Sequence, residues 1–146
     1  MPEQIVVGTD GSDSAKLAVA EAVRLAKSLG AELHVVSGYK PLRGARIEGP
    51  PGGAAKVWAP LPDSLVEGTL SETAAEVRLH NVTVETHAVE DEPADALLKV
   101  ADRVGASMIV VGSRGMHGAR RFVIGSVPND ISHRASCNVV IVSTDS

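Results

Sequence analysis

With 146 residues, 44% of them apolar, and a formal charge of −4, the chain has the size and hydrophobicity of one ordinary domain with a core of its own. Aromatic residues are only 2% (Tyr39, Trp58 and Phe122), so the core must come from Val, Leu, Ile and Ala, and single-strand nucleic-acid binding by base stacking is disfavoured. The acidic balance argues against a general nucleic-acid or anionic-membrane binder, and the lone Cys137 excludes an intrachain disulfide and a cysteine-rich metal site.

The first apolar run, Ile5-Val6-Val7, ends in Gly8-Thr9-Asp10-Gly11-Ser12 and reads as a buried strand followed by a turn. Ala15, Val19, Ala22, Val23, Ala26 and Leu29 then recur at helical spacing, with Ser12 or Asp13 as the N-terminal cap and Gly30 at the C-terminal end. Glu32 to Ser37 is a second strand. From Lys40 to Pro62, five prolines and four glycines rule out regular structure, and a loop of that length points to function or disorder. A helical pattern resumes near Asp63 with Leu65, Leu70, Ala74 and Val77. Val82 to Val89 is a third strand. Pro93 opens a helix with Ala94, Leu97, Leu98, Val100 and Ala101 on its apolar face, and Gly105 ends it. Met108 to Val111 is wholly apolar, as a strand buried on both faces should be. A glycine-rich loop from Gly112 to Gly125, a short helix from Ser126 to Arg134 and a last strand, Val139 to Val142, complete the chain. Such alternation predicts one α/β domain over residues 1–146, a parallel sheet with helices on both faces.

No apolar run approaches the roughly 18 residues of a membrane span. Met1-Pro2-Glu3-Gln4 leads into the first strand without a basic, signal-like region, so a cytoplasmic protein is expected.

In open α/β sheets, ligands bind beyond the C-terminal strand ends where the strand order reverses. The residues to inspect are therefore Gly8 to Ser12, Ser37 to Tyr39, and the long segment from Gly112 to Val127. That segment has the makings of a phosphate cradle. Gly112 and Gly115 allow close backbone approach, Gly125-Ser126 opens a helix whose free N–H groups favour an anion, and Arg114, Arg120 and Arg121 add positive charge. There is neither a Gly-Lys-Ser/Thr sequence nor a Gly-x-Gly-x-x-Gly after the first strand, so P-loop and dinucleotide readings both fail.

Gly112, two residues, Gly115, nine residues, then Gly125-Ser126 resembles the ATP-binding motif of the universal stress protein family. Ile5 to Ser12, Leu33-His34-Val35, Ser107 to Gly115 and Cys137 to Val142 resemble the family's strands in order, and the likeness is weakest from Lys40 to Leu79. The resemblance implies five parallel strands in the order 3-2-1-4-5 and an adenine nucleotide as ligand. Asp10 and the backbone of Val35 would lie at the adenine, Gly8, Thr9 and Gly112 near the ribose, and Arg114, Gly115, Gly125, Ser126 and Val127 around the phosphates. It also implies a homodimer, for which the apolar last strand, free of Pro and Lys, supplies an edge. The family commonly has a residue with a free N–H after Gly-Ser-Val, whereas here Pro128 has none, and Asp130 in the same turn would repel a phosphate. AMP or cyclic AMP therefore stands beside ATP as the ligand, with Mg or Mn held only through phosphates.

Other residues read more plainly. His34, His80, His87, His117 and His133 show no helical ligand spacing, so no dedicated metal site is expected; only His117 falls in the candidate loop. Cys137 reads as a small buried thiol. No Gly-x-Ser-x-Gly surrounds Ser12 or Ser126, and the phosphate loop shows neither a general base nor an acidic metal pair, so no catalytic residue is assigned. The leading function is an adenine-nucleotide-binding stress-response protein. Slow ATP hydrolysis and a nucleotide-independent interaction role remain as alternatives.

Overall fold

The computed structural model describes residues 2–39, 63–113 and 126–143. In chain order the elements are β1 (Gln4–Gly8), α1 (Asp13–Leu29), β2 (Glu32–Tyr39), α2 (Asp63–Arg78), β3 (Val84–Glu90), α3 (Pro93–Val104), β4 (Met108–Gly112), α4 (Ser126–Arg134) and β5 (Asn138–Val142). Every strand pairing is parallel and the sheet order is β3-β2-β1-β4-β5, as expected. The Pro/Gly-rich stretch with Trp58 lies outside the described residues. None of the helices described is long and apolar enough to cross a membrane.

Alternation along the central strands divides the core into two layers. Ile5, Val7, Leu33, Val35 and Val110 face α1 and α2, meeting Ala18, Ala22, Leu70 and Val77. Val6, Val36, Ile109 and Val111 face α3 and α4, meeting Leu97, Val100, Val127 and Ile131. The sheet-facing stripe of α1 is largely alanine (Ala15, Ala18, Ala22, Ala26), which lets the helix lie close to the strands. Ser12 caps α1, its Oγ accepting the N–H of Ala15 at 3.2 Å. Gly30 and Gly105 end α1 and α3 at φ 65° and 67°, a left-handed conformation that glycine adopts without steric cost.

Three details depart from the pattern read in the sequence; the simplest is that the third strand runs from Val84 to Glu90 instead of from Val82 to Val89. β2 runs through Ser37, Gly38 and Tyr39, which pair with Ala88, Val89 and Glu90 instead of forming a post-strand loop. Gly38 is required there by packing: a Cβ would sit 2.7 Å from the carbonyl oxygen of Asp91 and 3.0 Å from Pro93 Cα. Asp130 is not in the first turn of α4; it is the fifth residue, and its Oδ2 accepts from Arg134 Nη1 at 2.9 Å.

Candidate functional site

The strand order turns around at β1. β2 lies on one side and β4 on the other, and the connections after β1 and β4 lead to α1 on one face and α4 on the opposite face. A crevice at the C-terminal strand ends follows from that topology. Its β1 wall is fixed by hydrogen bonds to β2 and within the turn itself. The N–H of Thr9 donates to Val36 C=O at 3.0 Å, continuing the sheet one residue past β1. Thr9 Oγ1 accepts the N–H of Gly11 at 3.0 Å, and Asp10 Oδ1 accepts the N–H of Ser12 at 2.9 Å. The buried Ser37 hydroxyl donates to the Thr9 carbonyl and ties β2 to the same turn. Gly11, at φ 84°, turns the chain away from Thr69 of α2, which a Cβ would approach to 3.2 Å.

Asp10 thus makes the local turn bond that its residue type favours. Its carboxylate has a second oxygen, and the half-buried side chain stands at the strand terminus. Between this turn and α2 lies a cleft of about 200 Å³ lined by Thr9, Gly11, Lys16, Thr69, Glu72 and Glu76, with Val19 and Thr73. That is below the roughly 300 Å³ at which ligand pockets begin, so the cleft suits one part of a larger ligand. Two carboxylates against one lysine suit a base or sugar better than a phosphate.

The other residues singled out by sequence are placed as follows. Gly8 packs its Cα face on Leu97 of α3, where a Cβ would come within 3.0 Å of Cδ1. Val35 is fully buried and sits in register between Val7 and Thr86, its side chain in the α1/α2 layer. Gly112 closes β4 opposite Val142, two residues beyond the last β4 residue paired with β1, Val110. Val127 turns its side chain into the α3/α4 layer. Ser126 begins α4, while Arg114, Gly115, His117, Arg120, Arg121 and Gly125 lie outside the described residues. Cys137, read as a buried thiol, is only half-buried; burial together with the nearby Asp102 charge pushes its thiol pKa up, which favours the protonated form.

A second polar cluster was not legible as local spacing. Parallel register sets His34 of β2 beside Glu85 of β3, with His87 two residues farther along β3 on the same face. His34 Nδ1 lies 2.9 Å from His87 Nε2, and His34 Nε2 lies 2.5 Å from Gln4 Oε1. Burial holds both imidazoles below the ordinary histidine pKa; Glu85 and Glu32 oppose this at His34, while at His87 the neighbouring ring and Arg103 reinforce it. The signal available in the sequence was a histidine in each of two strands, but which rungs they share depends on the strand pairing.

The model of the Universal stress protein family matches residues 1–143. A universal stress protein of Mycobacterium tuberculosis is 35% identical over 96% of this chain and 95% of its own length. The stress response protein NhaX of Bacillus subtilis is 27% identical over 96% of this chain and 97% of its own. Among solved structures, a universal stress protein in complex with cAMP is 30% identical with a TM-score of 0.74, covering 99% of this chain and 98% of that one. A universal stress protein from Archaeoglobus fulgidus in complex with dAMP is 26% identical with a TM-score of 0.68, covering 95% and 96%.

Proposed function

The chain belongs to the universal stress protein family, and from that premise we propose that it binds an adenine nucleotide at the C-terminal strand ends of β1, β2 and β4. The observation that carries this reading is the reversal of strand order at β1, with the bonded Thr9–Ser12 turn on one side and Gly112 on the other. Asp10 meets the adenine edge with its second carboxylate oxygen, and Gly8, Thr9 and Gly112 border the ribose; Val35, paired on both sides in the middle of β2, is left out of the contact set. Arg114, Gly115, Gly125, Ser126 and Val127 surround the phosphates.

A nucleotide with one phosphate is favoured over ATP. The two ligands named for the similar structures, cAMP and dAMP, each carry a single phosphate. Pro128, the buried third residue of α4, withholds one of the N–H groups that a helix start would offer to an anion. Its role is that of a nucleotide-responsive stress protein, with binding and not hydrolysis as its activity. Native mass spectrometry of freshly purified chain, followed by calorimetry with cyclic AMP, AMP and ATP, tests this. Tighter binding of the monophosphates is the expected result; failure of all three to bind would refute the assignment. Pro128→Thr should narrow the gap in favour of ATP.

The reading includes a homodimer through β5. This edge strand is apolar over Val139–Val142 and Ile141 is 36% exposed. Ile141→Lys should shift a sedimenting dimer to monomer, and a wild-type monomer at micromolar concentration would remove the dimer from the proposal.

A further inference from the structure

At the opposite end of the sheet, near the start of β2, His34, Glu85 and His87 bring three donor atoms to one point. His34 Nδ1 and His87 Nε2 are 2.9 Å apart, and Glu85 Oε1 lies 3.5 Å from the first and 3.7 Å from the second. Zinc–nitrogen and zinc–oxygen bonds of about 2.0–2.2 Å in a tetrahedron set neighbouring ligand atoms about 3.3–3.5 Å apart. The observed triangle straddles that spacing. We propose that His34, Glu85 and His87 form a binding site for a divalent transition-metal ion of the zinc class, separate from the nucleotide crevice, with the fourth position open to water.

The environment supports such a site. The His34 side chain is 7% exposed and that of His87 14%, whereas Glu85 is 69% exposed, so two ligands are held by packing and the third closes the site from the solvent side. The His34 ring is oriented from behind. Gln4 Nε2 donates to Glu32 Oε1 at 3.0 Å, which turns Gln4 Oε1 toward His34 Nε2. His34 therefore carries its proton on Nε2 and presents a bare Nδ1 to the metal, with the far ring nitrogen bonded to an acceptor as is usual for ligating histidines. Burial lowers both histidine pKa values and keeps the lone pairs available at neutral pH.

Without metal, the same atoms form a directed chain. His87 Nε2–H donates to His34 Nδ1, and Arg103 Nη2 donates to His87 Nδ1 at 3.3 Å. Metal binding at His87 Nε2 moves that ring's proton to Nδ1, where it faces the Arg103 donor. Arg103 is exposed and must swing aside, so it opposes the metal. Replacing it with an acceptor should help.

The test is calorimetric titration of Zn²⁺ into tag-free, full-length protein stripped with EDTA. One ion per chain is expected. Since loss of a residue that merely hydrogen-bonds a ligand costs about 10–100-fold in metal affinity, loss of a ligand itself in Glu85→Gln or His87→Ala should weaken binding by at least about 10-fold. Glu85 is exposed, so that variant has no reason to misfold. Arg103→Gln should tighten binding several-fold, and His133→Ala should leave it unchanged. Absence of binding, or equal binding by wild type, Glu85→Gln and His87→Ala, would overturn the proposal.

Discussion

The two ends of the sheet are built by different means. At the C-terminal end, the β1 turn is shaped mostly by contacts within seven residues (Thr9 to Gly11, Asp10 to Ser12, and Ser12 to Ala15), with Val36 and Ser37 tying it to β2. At the N-terminal end, Gln4, His34 and His87 come from three different strands and meet only because the register is right. A site of the first kind tolerates changes elsewhere so long as the backbone keeps its shape. A site of the second kind fails with any slip of the strands, because a shift of one residue turns every side chain to the other face.

Gly38 gives the largest effect, because it couples β2 to the β3–α3 connection. A branched side chain there meets backbone atoms of Asp91 and Pro93, which cannot rotate away. Gly38→Val is expected to destabilise the fold by about 3 kcal/mol or more, at the upper end of overpacking effects. Urea denaturation measures it. A loss within 0.5 kcal/mol would mean that the connection is free to move and does not pin the strand ends.

Asp10→Ala separates the two ends by function. Loss of a charged hydrogen bond to the base should weaken nucleotide binding by about 1.5–3 kcal/mol, roughly 10–150-fold. It should leave zinc affinity unchanged, and His87→Ala should do the reverse. Calorimetry with both ligands on both variants completes the comparison. Cross-effects in either direction would show that the two ends are coupled through β1 and β2.

The contrast also explains what could be read from the sequence. The succession of strands and helices, the caps and all four described helices followed from local signals such as Ser12, Gly30, Pro93 and Gly105, whose conformational preferences act over a few residues, whereas the strand order came only from the resemblance of the whole pattern to a family. Asp10 and Gly112 were singled out because residues after strands mark the ligand end of open α/β sheets. The full length of β2 was missed because Gly38 looks like a strand breaker until the backbone crossing it is seen. The pair His34–His87 was missed because its separation of 53 residues carries no period. Gly115 and Gly125 were read from motif spacing, and they lie outside the described residues.

Acidity should act on the histidine end. Both imidazoles bind protons less readily in the folded chain than in the unfolded one, so the unfolded state takes up more protons below the ordinary histidine pKa of about 6.5. Stability is therefore fully present above that value and falls as the pH drops from it toward the depressed folded values. The slope cannot exceed about 1.4 kcal/mol per pH unit for each ring. Glu85 and Glu32 moderate the effect and Arg103 strengthens it. Thermal melts from pH 7.5 to 5 should show this decline, and His87→Gln should flatten it. A wild-type profile as flat as the variant's would mean that the rings bind protons as readily in the fold as in the unfolded chain.

Ser12 offers the smallest and most discriminating change, since it serves the helix without a role at the histidine end. Ser12→Ala removes the oxygen that accepts from Ala15 and should cost about 1 kcal/mol in a denaturation curve. Ser12→Asp keeps an equivalent cap, so stability should hold, yet it adds a negative charge to the crevice wall. If the adenine faces this turn and the phosphates lie toward α4, the added charge should reduce affinity for cyclic AMP by less than about 3-fold. If the phosphates face the turn instead, the loss should be much larger, greater for ATP than for AMP, and should shrink as salt screens the repulsion. Calorimetry at low and high ionic strength distinguishes the two orientations, and the small, salt-insensitive loss is the expected one.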